Sequence, residues 1–163
     1  MGVDKVENLN VLVEVLKDKG LKIATAESCT GGLLGGALTS MSGSSQFFEL
    51  GVTTYSNEAK IKLLGVKENT IYQYGAVSEN TAKEMADNIK DIAGVHIGVS
   101  VTGVAGPGGG SIEKPVGLVY IGVSMENTTY IYKHFFEGNR ADVRKQSVTA
   151  TIKHILMLLL EER

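Results

Sequence analysis

The sequence predicts an α/β fold, a three-layer α/β/α sandwich built around a mixed β-sheet. Segments with helical spacing of apolar residues alternate with the first three strand patterns, which favours parallel pairing of those strands. Two further strand patterns follow each other with only a short polar connection around Glu126 and Asn127. Such a hairpin forces one strand to run antiparallel, so the sheet has to be mixed.

Five helices and five strands are predicted from the apolar patterns. The helices cover, in order, residues 4–19, 31–41, 58–64, 79–93 and 140–161. The strands cover, in order, residues 22–26, 47–55, 95–102, 118–123 and 130–136. In the first helix apolar residues from Val6 onward recur every three or four positions until Gly20 ends it. In the third strand bulky valine and isoleucine alternate with smaller or polar residues, which is typical of one packed face.

Polar residues at the predicted helix starts support these boundaries. Ser56 or Asn57 is expected to cap the third helix, Ser78 the fourth and Asn139 the last, because their side chains can accept hydrogen bonds from free backbone N–H groups. The segment Gly103–Pro115 is rich in glycine and is predicted to be a loop.

Composition excludes several classes of protein. Of the 163 residues, 43% are hydrophobic and 21% charged, values unlike those of disordered or membrane proteins. The 18 acidic residues nearly cancel the 16 basic ones, and the basic residues are scattered, so no nucleic-acid partner is expected. A single cysteine, Cys29, excludes an intrachain disulfide and a multi-cysteine metal site.

Localisation follows from two further absences in the sequence. The amino terminus begins an amphipathic helix rather than the apolar core of a signal peptide. No apolar run approaches the roughly 20 residues that span a bilayer, so no membrane partner is expected. We therefore expect one domain over residues 1–163, located in the cytoplasm.

Three polar clusters directly follow the first three strands. They are Glu27–Gly32, Tyr55–Lys60 and Thr102–Gly110. In open α/β sheets ligands bind at the carboxyl ends of parallel strands, so all three clusters are expected at one edge of the sheet. This convergence predicts a functional site there.

Ser28 has two interpretations at its strand–helix junction. A serine there is often a helix cap, but beside glycines and free N–H groups it could also be a nucleophile next to an anion hole. The surroundings match neither a nucleophile elbow nor a P-loop. Cys29 is an alternative nucleophile, although a lone cysteine at such a position is more often a small buried hydrophobe.

Other residues permit weaker hypotheses. Lys60 could act as a base only if burial or nearby cations lowered its pKa, and is otherwise a surface lysine. Arg140 is either a surface charge or a ligand for carboxylate or phosphate. The match of Ser111–Lys114 to Ser-x-x-Lys is attributed to chance because a loop surrounds it. The three histidines are not expected to cluster, so neither a serine–histidine triad nor a metal site is predicted.

Five blocks of sequence together resemble a known family. They are Thr25–Gly32, Tyr55–Lys60, Gly75–Ser78, Val101–Gly109 and Lys114–Gly117. In this order, over nearly the whole chain, they are similar to the C-terminal domain of the competence/damage-inducible CinA family. The resemblance implies a five-stranded sheet of order 2-1-3-4-5 with strand 4 antiparallel. It also implies hydrolysis of nicotinamide mononucleotide to nicotinate mononucleotide and ammonia, in pyridine nucleotide salvage, without metal or cofactor.

The resemblance also implies a role for individual residues. Ser28 is the implied nucleophile, Lys60 its base, and Tyr55 an aid to proton transfer or orientation. The residues implied to line the substrate or oxyanion pocket, or to contact the substrate, are Thr30, Gly31, Gly32, Thr102, Gly103, Gly106 and Arg140.

Two other functions stay open beside this amidase. The glycine loops would equally serve a non-catalytic module that binds nucleotide or phosphate. The apolar stretch Ile155–Leu160 could regulate a partner, although it is more typical of a core or a homodimer seam. A homo-oligomer, most simply a dimer, is expected.

Overall fold

A five-stranded mixed sheet forms the centre of the fold. The computed structural model describes the backbone of residues 3–161 and the side chains of residues 7–161. The strands are β1 (Ile23–Glu27), β2 (Phe48–Thr53), β3 (Ile97–Gly103), β4 (Leu118–Met125) and β5 (Thr128–Phe135). Their order is β2-β1-β3-β4-β5, with β1 parallel to β2 and β3, and β4 antiparallel to β3 and β5. The predicted fold class and strand order are therefore confirmed.

Within residues 3–161, six α-helices cover the two faces of this sheet, and a short 3-10 helix (Ser44–Gln46) precedes β2. The α-helices are α1 (Val3–Lys19), α2 (Leu33–Thr39), α3 (Asn57–Leu64), α4 (Glu68–Tyr74), α5 (Glu79–Ala93) and α6 (Arg140–Glu161). The side chain of Val6, part of the predicted apolar stripe of α1, lies outside the described residues. Within residues 3–161, no helix combines the length and the apolar character that crossing a membrane demands.

The core has two parts, one on each face of the sheet. On one face, apolar side chains of α1, α2 and α6, such as Leu16, Leu34 and Ile155, pack against the sheet. On the other face, Leu64 of α3 and Met85 of α5 pack against β1. Burying an aliphatic side chain contributes about 1.5–3 kcal/mol. These two layers therefore hold the sheet, and with it the ends of its strands, in place.

Helix α5 lies unusually close to the sheet because two strand residues are glycine. A Cβ at Gly98 would lie 2.2 Å from the carbonyl oxygen of Ala86, and one at Gly122 would lie 2.8 Å from that of Ala82. The hydroxyl of Ser100 donates a hydrogen bond of 2.6 Å to the Ala82 carbonyl. Only glycine permits this approach, so these two positions set the distance between α5 and the sheet.

The predicted caps are present. Ser56 accepts a hydrogen bond from the Ala59 N–H and is therefore the cap of α3, rather than Asn57. Ser78 accepts from the Thr81 N–H at the start of α5. Asn139 and Asp142 cap α6 reciprocally, each accepting at 3.0 Å from the other's backbone N–H. These three caps define where the site-bearing helices begin.

Several element predictions need correction, and three of the differences have a clear physical reason. The second helix begins at Leu33, because Gly31 and Gly32 adopt positive φ values of 59° and 99°. The third strand begins at Ile97, because the N–H of Val95 bonds the Lys90 carbonyl and so completes the end of α5. Helix α4 was not predicted at all.

Helix α4 depends on a contact with α5. The carboxylate of Glu84 accepts hydrogen bonds from the Lys67 N–H at 2.8 Å and from the Thr70 hydroxyl at 2.5 Å. Lys67 itself supplies no side-chain cap. The capping group is therefore 17 residues distant in sequence, which explains why no local signal indicates this helix.

The expectation that the histidines stay apart is wrong for two of them. His134 on β5 and His154 on α6 face each other with their Nε2 atoms 2.8 Å apart. The ring of His154 also stacks on Tyr132 at a centroid distance of 3.6 Å. Burial, followed by the charges of His134 and Lys153, lowers the pKa of His154 from 6.5 to about 4. Among the described residues, no cluster of three or more metal-ligating side chains is present.

Replacing Gly98 by alanine is expected to destabilise the protein, because the new methyl group meets the Ala86 backbone. An overpacked core costs about 1–3 kcal/mol of unfolding free energy. Gly36→Ala is the matched control, since Gly36 lies in α2 and a methyl group added there would have no neighbouring atom within 4 Å. The control should gain about 0.5–1 kcal/mol from helix propensity. Urea denaturation measures the free energy of unfolding of both variants. Equal changes in the two variants would contradict the proposed close packing.

The stability of the protein is expected to fall as the pH drops from about 6.5 to about 4. In this range His154 is protonated in the unfolded chain but still neutral in the folded protein. Lowering the pH therefore favours unfolding. His154→Phe keeps a ring against Tyr132 but cannot titrate. Urea denaturation of both proteins at about pH 7 and about pH 5 should show a smaller acid loss for the variant. Identical losses would argue against a buried, neutral His154.

Candidate active site

The three parallel strands end at one edge of the sheet, and a cleft of about 270 Å³ opens there. Two hydrogen bonds extend the sheet just past the strand ends: the Ser28 N–H donates to the Val101 carbonyl and the Thr54 N–H to the Glu27 carbonyl, each at 2.9 Å. The predicted site residues that line the cleft are Ser28, Tyr55, Lys60, Thr102, Gly103, Gly106 and Arg140.

Lys60 and Ser28 meet at the inner end of this cleft. The Nζ atom of Lys60 lies 3.1 Å from the Oγ atom of Ser28 and donates a second hydrogen bond of 2.8 Å to the Thr54 carbonyl. The cap at Ser56 starts α3 one turn before Lys60, so the side chain points back to the sheet edge. The two residues are 32 positions apart in sequence, and the fold brings them into contact.

The environment of Lys60 disfavours its charge. Lys60 is only 1% exposed. Within residues 7–161, no carboxylate oxygen lies within 4 Å of its Nζ atom, the separation expected of an ion pair. Burial lowers the pKa of Lys60 below its usual 10.5. The amine is thereby easier to deprotonate than a surface lysine.

Cys29 lies beside Ser28 but has a different character. Its side chain is buried, and burial raises the pKa of the thiol to about 11. At neutral pH the thiol therefore keeps its proton, and the thiolate needed for nucleophilic attack is rare.

Arg140 joins two walls of the cleft at its mouth. Its guanidinium donates to the Gly106 carbonyl at 2.8 Å and to the Tyr55 hydroxyl at 2.7 Å. Tyr55 is 60% exposed. Among the described residues its hydroxyl makes no hydrogen bond with Ser28 or Lys60. The arginine is thus a cation at the entrance, and the tyrosine a wall residue oriented by it.

The opposite wall is formed by the end of β3 and the loop after it. Thr102 is buried, and its hydroxyl donates to the Ala76 carbonyl at 2.8 Å. A Cβ at Gly103 would lie 2.7 Å from the Leu118 carbonyl oxygen, and one at Gly106 would lie 2.5 Å from a Val116 methyl group. These glycines allow the loop to pass close to β4 and leave room for the cleft.

The serine turn, residues Ser28–Gly32, does not line the cleft over its whole length. Thr30, Gly31 and Gly32 are not among the lining residues. The N–H of Gly31 donates to the Ser28 carbonyl at 3.0 Å, so it closes the turn. Thr30 is fully buried, and its hydroxyl has no hydrogen-bond partner among the described residues.

Sequence reasoning overlooked two side chains that hold the serine turn. Glu27 is buried, and its carboxylate accepts from the Leu34 and Gly35 N–H groups at 2.9 and 3.0 Å, which caps α2. Arg144 donates from α6 to the carbonyls of the turn. The available signals were an acidic residue before a helix start and a second arginine one helical turn after Arg140.

Comparison with known proteins connects this geometry to a family. The model of the CinA C-terminal domain matches residues 6–159. The chain is 53% identical over 154 residues to a competence-damage inducible protein of Clostridium acetobutylicum, covering 94% of this chain and 38% of the relative. For one of Caldanaerobacter subterraneus the identity is 51% over 146 residues, covering 90% and 35%. The chain thus spans little more than a third of these relatives.

Solved structures agree with the sequence relatives. A competence damage-inducible protein of Klebsiella pneumoniae superposes with a TM-score of 0.93 at 32% identity, covering 96% of this chain and 98% of that one. A competence/damage inducible protein of Agrobacterium tumefaciens superposes with a TM-score of 0.92 at 39% identity, covering 95% of each chain. The family match, the relatives and the shared fold agree: the chain belongs to the CinA C-terminal domain family.

Proposed function

We propose that the chain is a serine–lysine amidohydrolase that converts nicotinamide mononucleotide to nicotinate mononucleotide and ammonia. The observation that carries the proposal is the 3.1 Å contact between the hydroxyl of Ser28 and a buried Lys60 that makes no ion pair within residues 7–161. A nucleophile within hydrogen-bond reach of a base is what acyl transfer to serine requires. The substrate itself comes from the family resemblance.

The first chemical step forms an acyl-enzyme. Neutral Lys60 accepts the proton of the Ser28 hydroxyl while its Oγ atom forms a bond to the carboxamide carbon. The carbonyl oxygen becomes an oxyanion in the tetrahedral intermediate. Protonated Lys60 then gives its proton to the amide nitrogen, the C–N bond breaks, and ammonia leaves. The acyl group remains on Ser28 as an ester.

Water completes the reaction by the same route. Lys60, neutral again, accepts a proton from a water molecule whose oxygen bonds to the ester carbon. The bond to Ser28 breaks, and the serine oxygen recovers the proton from Lys60. The product leaves as a carboxylic acid, which gives the second water proton to the solvent and becomes the carboxylate. Because Lys60 must be neutral at the start, activity should rise with pH through its pKa, which burial places below 10.5.

One of the two glycine N–H groups that the sequence suggested for the oxyanion, that of Gly31, is already engaged. Gly31 N–H closes the serine turn, and Ser28 N–H bonds the Val101 carbonyl. In the part of the chain that the structure describes, the N–H groups of Cys29, Thr30 and Gly32 donate no backbone hydrogen bond, and of these three residues Cys29 alone lines the cleft. The Cys29 N–H adjoins the nucleophile, and a well-placed donor contributes about 3–4 kcal/mol to the transition state.

The cleft also suits a phosphorylated substrate. Arg140 is the cation at the cleft mouth, and its guanidinium presents a fork of donors to a phosphate. The buried amine of Lys60 lies at the inner end of the cleft, where the proposed mechanism uses it as the base. A nucleotide would then lie with its phosphate towards Arg140 and its carboxamide against Ser28.

Removing either member of the pair should abolish turnover. Ser28→Ala deletes the nucleophile, and Lys60→Met deletes the base, which typically contributes about 10²–10⁴-fold. Lys62→Met is the matched control, since Lys62 is an exposed lysine of the same helix. The rate of ammonia release from nicotinamide mononucleotide is measured across pH for all three variants.

The same assay separates the proposal from its alternative. Full activity of Ser28→Ala would contradict the proposed nucleophile. If calorimetry shows tight binding of pyridine nucleotides by the wild type without ammonia release, the chain is a binding module instead. In the expected outcome the control retains wild-type rates, and the wild-type rate rises with pH.

Cys29 should be chemically inert in the folded protein, because its thiol is buried and has a pKa of about 11. Iodoacetamide at neutral pH is expected to alkylate it far more slowly in buffer than in urea, where the thiol is exposed. Mass spectrometry measures the extent of alkylation. Equally fast alkylation in both conditions would restore Cys29 as a candidate nucleophile.

A further inference from the structure

We infer that Arg144 is a positioning residue for the serine nucleophile: its guanidinium binds two successive carbonyls of the serine turn and so fixes the backbone that holds Ser28 against Lys60. The inference rests on the proposed serine–lysine chemistry. It adds a residue that neither the sequence motifs nor the cleft lining includes.

The contacts of Arg144 are specific to the turn. Its Nε atom donates to the Cys29 carbonyl and its Nη2 atom to the Thr30 carbonyl, both at 3.1 Å. A guanidinium is a rigid, planar fork, so two successive carbonyls on one fork have a fixed relative orientation. Lysine, with a single ammonium on a flexible stem, cannot impose the same geometry.

Holding the carbonyl oxygen of a peptide group also orients the N–H of the same group. In a trans peptide the C=O and N–H bonds point in opposite directions. The peptide whose oxygen is the Cys29 carbonyl carries the N–H of Thr30, so binding that oxygen to Arg144 turns the N–H away from the guanidinium. The peptide whose oxygen is the Thr30 carbonyl carries the N–H of Gly31, so the second contact orients the group that donates to the Ser28 carbonyl and closes the turn.

The surrounding residues are compatible with this role. Gly31 has a φ of 59°, and a Cβ there would lie 3.1 Å from the Nη2 atom of Arg144, so glycine leaves space for the guanidinium. Val143 and Ser147 are fully buried on either side of Arg144, which holds this part of α6 against the core. The guanidinium therefore projects from a firmly packed helix.

Substitution of Arg144 tests the inference. Arg144→Gln should lower kcat for ammonia release by about 100-fold, the loss expected from a small misplacement of reacting groups, while KM changes less than about threefold. Arg144→Lys should lower kcat to an intermediate value. The pH at which the rate rises should not move, because Lys60 is untouched. Lys145→Gln, at the exposed neighbouring position, is the control and should behave as wild type.

A second readout does not depend on the substrate. A fluorophosphonate labels an activated serine, and the rate of Ser28 labelling should fall in Arg144→Gln in parallel with kcat. If the wild type is labelled but releases no ammonia, the proposed substrate fails, and the labelling rates still decide the role of Arg144. If the wild type is not labelled either, both proposals are overturned.

A purely structural role gives a different result. In that case Arg144→Gln lowers the midpoint temperature of unfolding. Its kcat and its labelling rate per folded molecule, however, stay within about threefold of wild type, and this result overturns the inference. Should Arg144→Gln not fold, Arg144→Lys carries the same comparison. Lysine keeps the positive charge but lacks the planar fork of donors, so this variant separates electrostatic stabilisation from orientation.

Discussion

The burial of Lys60, which has no carboxylate partner among the described residues, is the constraint on which the site depends. A buried ammonium without a counter-ion is costly, and the protein reduces that cost by favouring the neutral amine. The amine then has the Thr54 carbonyl and the Ser28 hydroxyl as its polar partners. A residue that would be a poor base at the surface is thereby suited to the role of base in the proposed mechanism.

Several elements combine to keep this pair together. The parallel ladders of β1 with β2 and β3 hold Ser28 and Thr54 at one edge, and the cap at Ser56 aims α3 back towards that edge. Helix α6 reaches the site from the far end of the chain through Arg140 and Arg144. The site is therefore assembled from the ends of strands and the starts of helices, where backbone donors are free.

Local patterns accounted for most of the fold. Apolar periodicity indicated all five strands and the long helices, because these elements bury apolar side chains in the two parts of the core. Helix α4 was missed because its capping carboxylate, Glu84, comes from another helix. The contact between His134 and His154 was missed because nothing in either local pattern shows that β5 packs its histidine against α6. Both depend on contacts distant in sequence.

For the candidate site, the sequence by itself determined where the polar clusters lie, directly after the first three strands, with Ser28 and Lys60 among their residues. Only the tertiary structure decided that the lysine is buried and that the two side chains meet. It likewise decided that the Gly31 N–H closes the serine turn and that Arg144 holds it. Burial and hydrogen-bond partners are properties of packed neighbours, which a residue pattern along one chain does not specify.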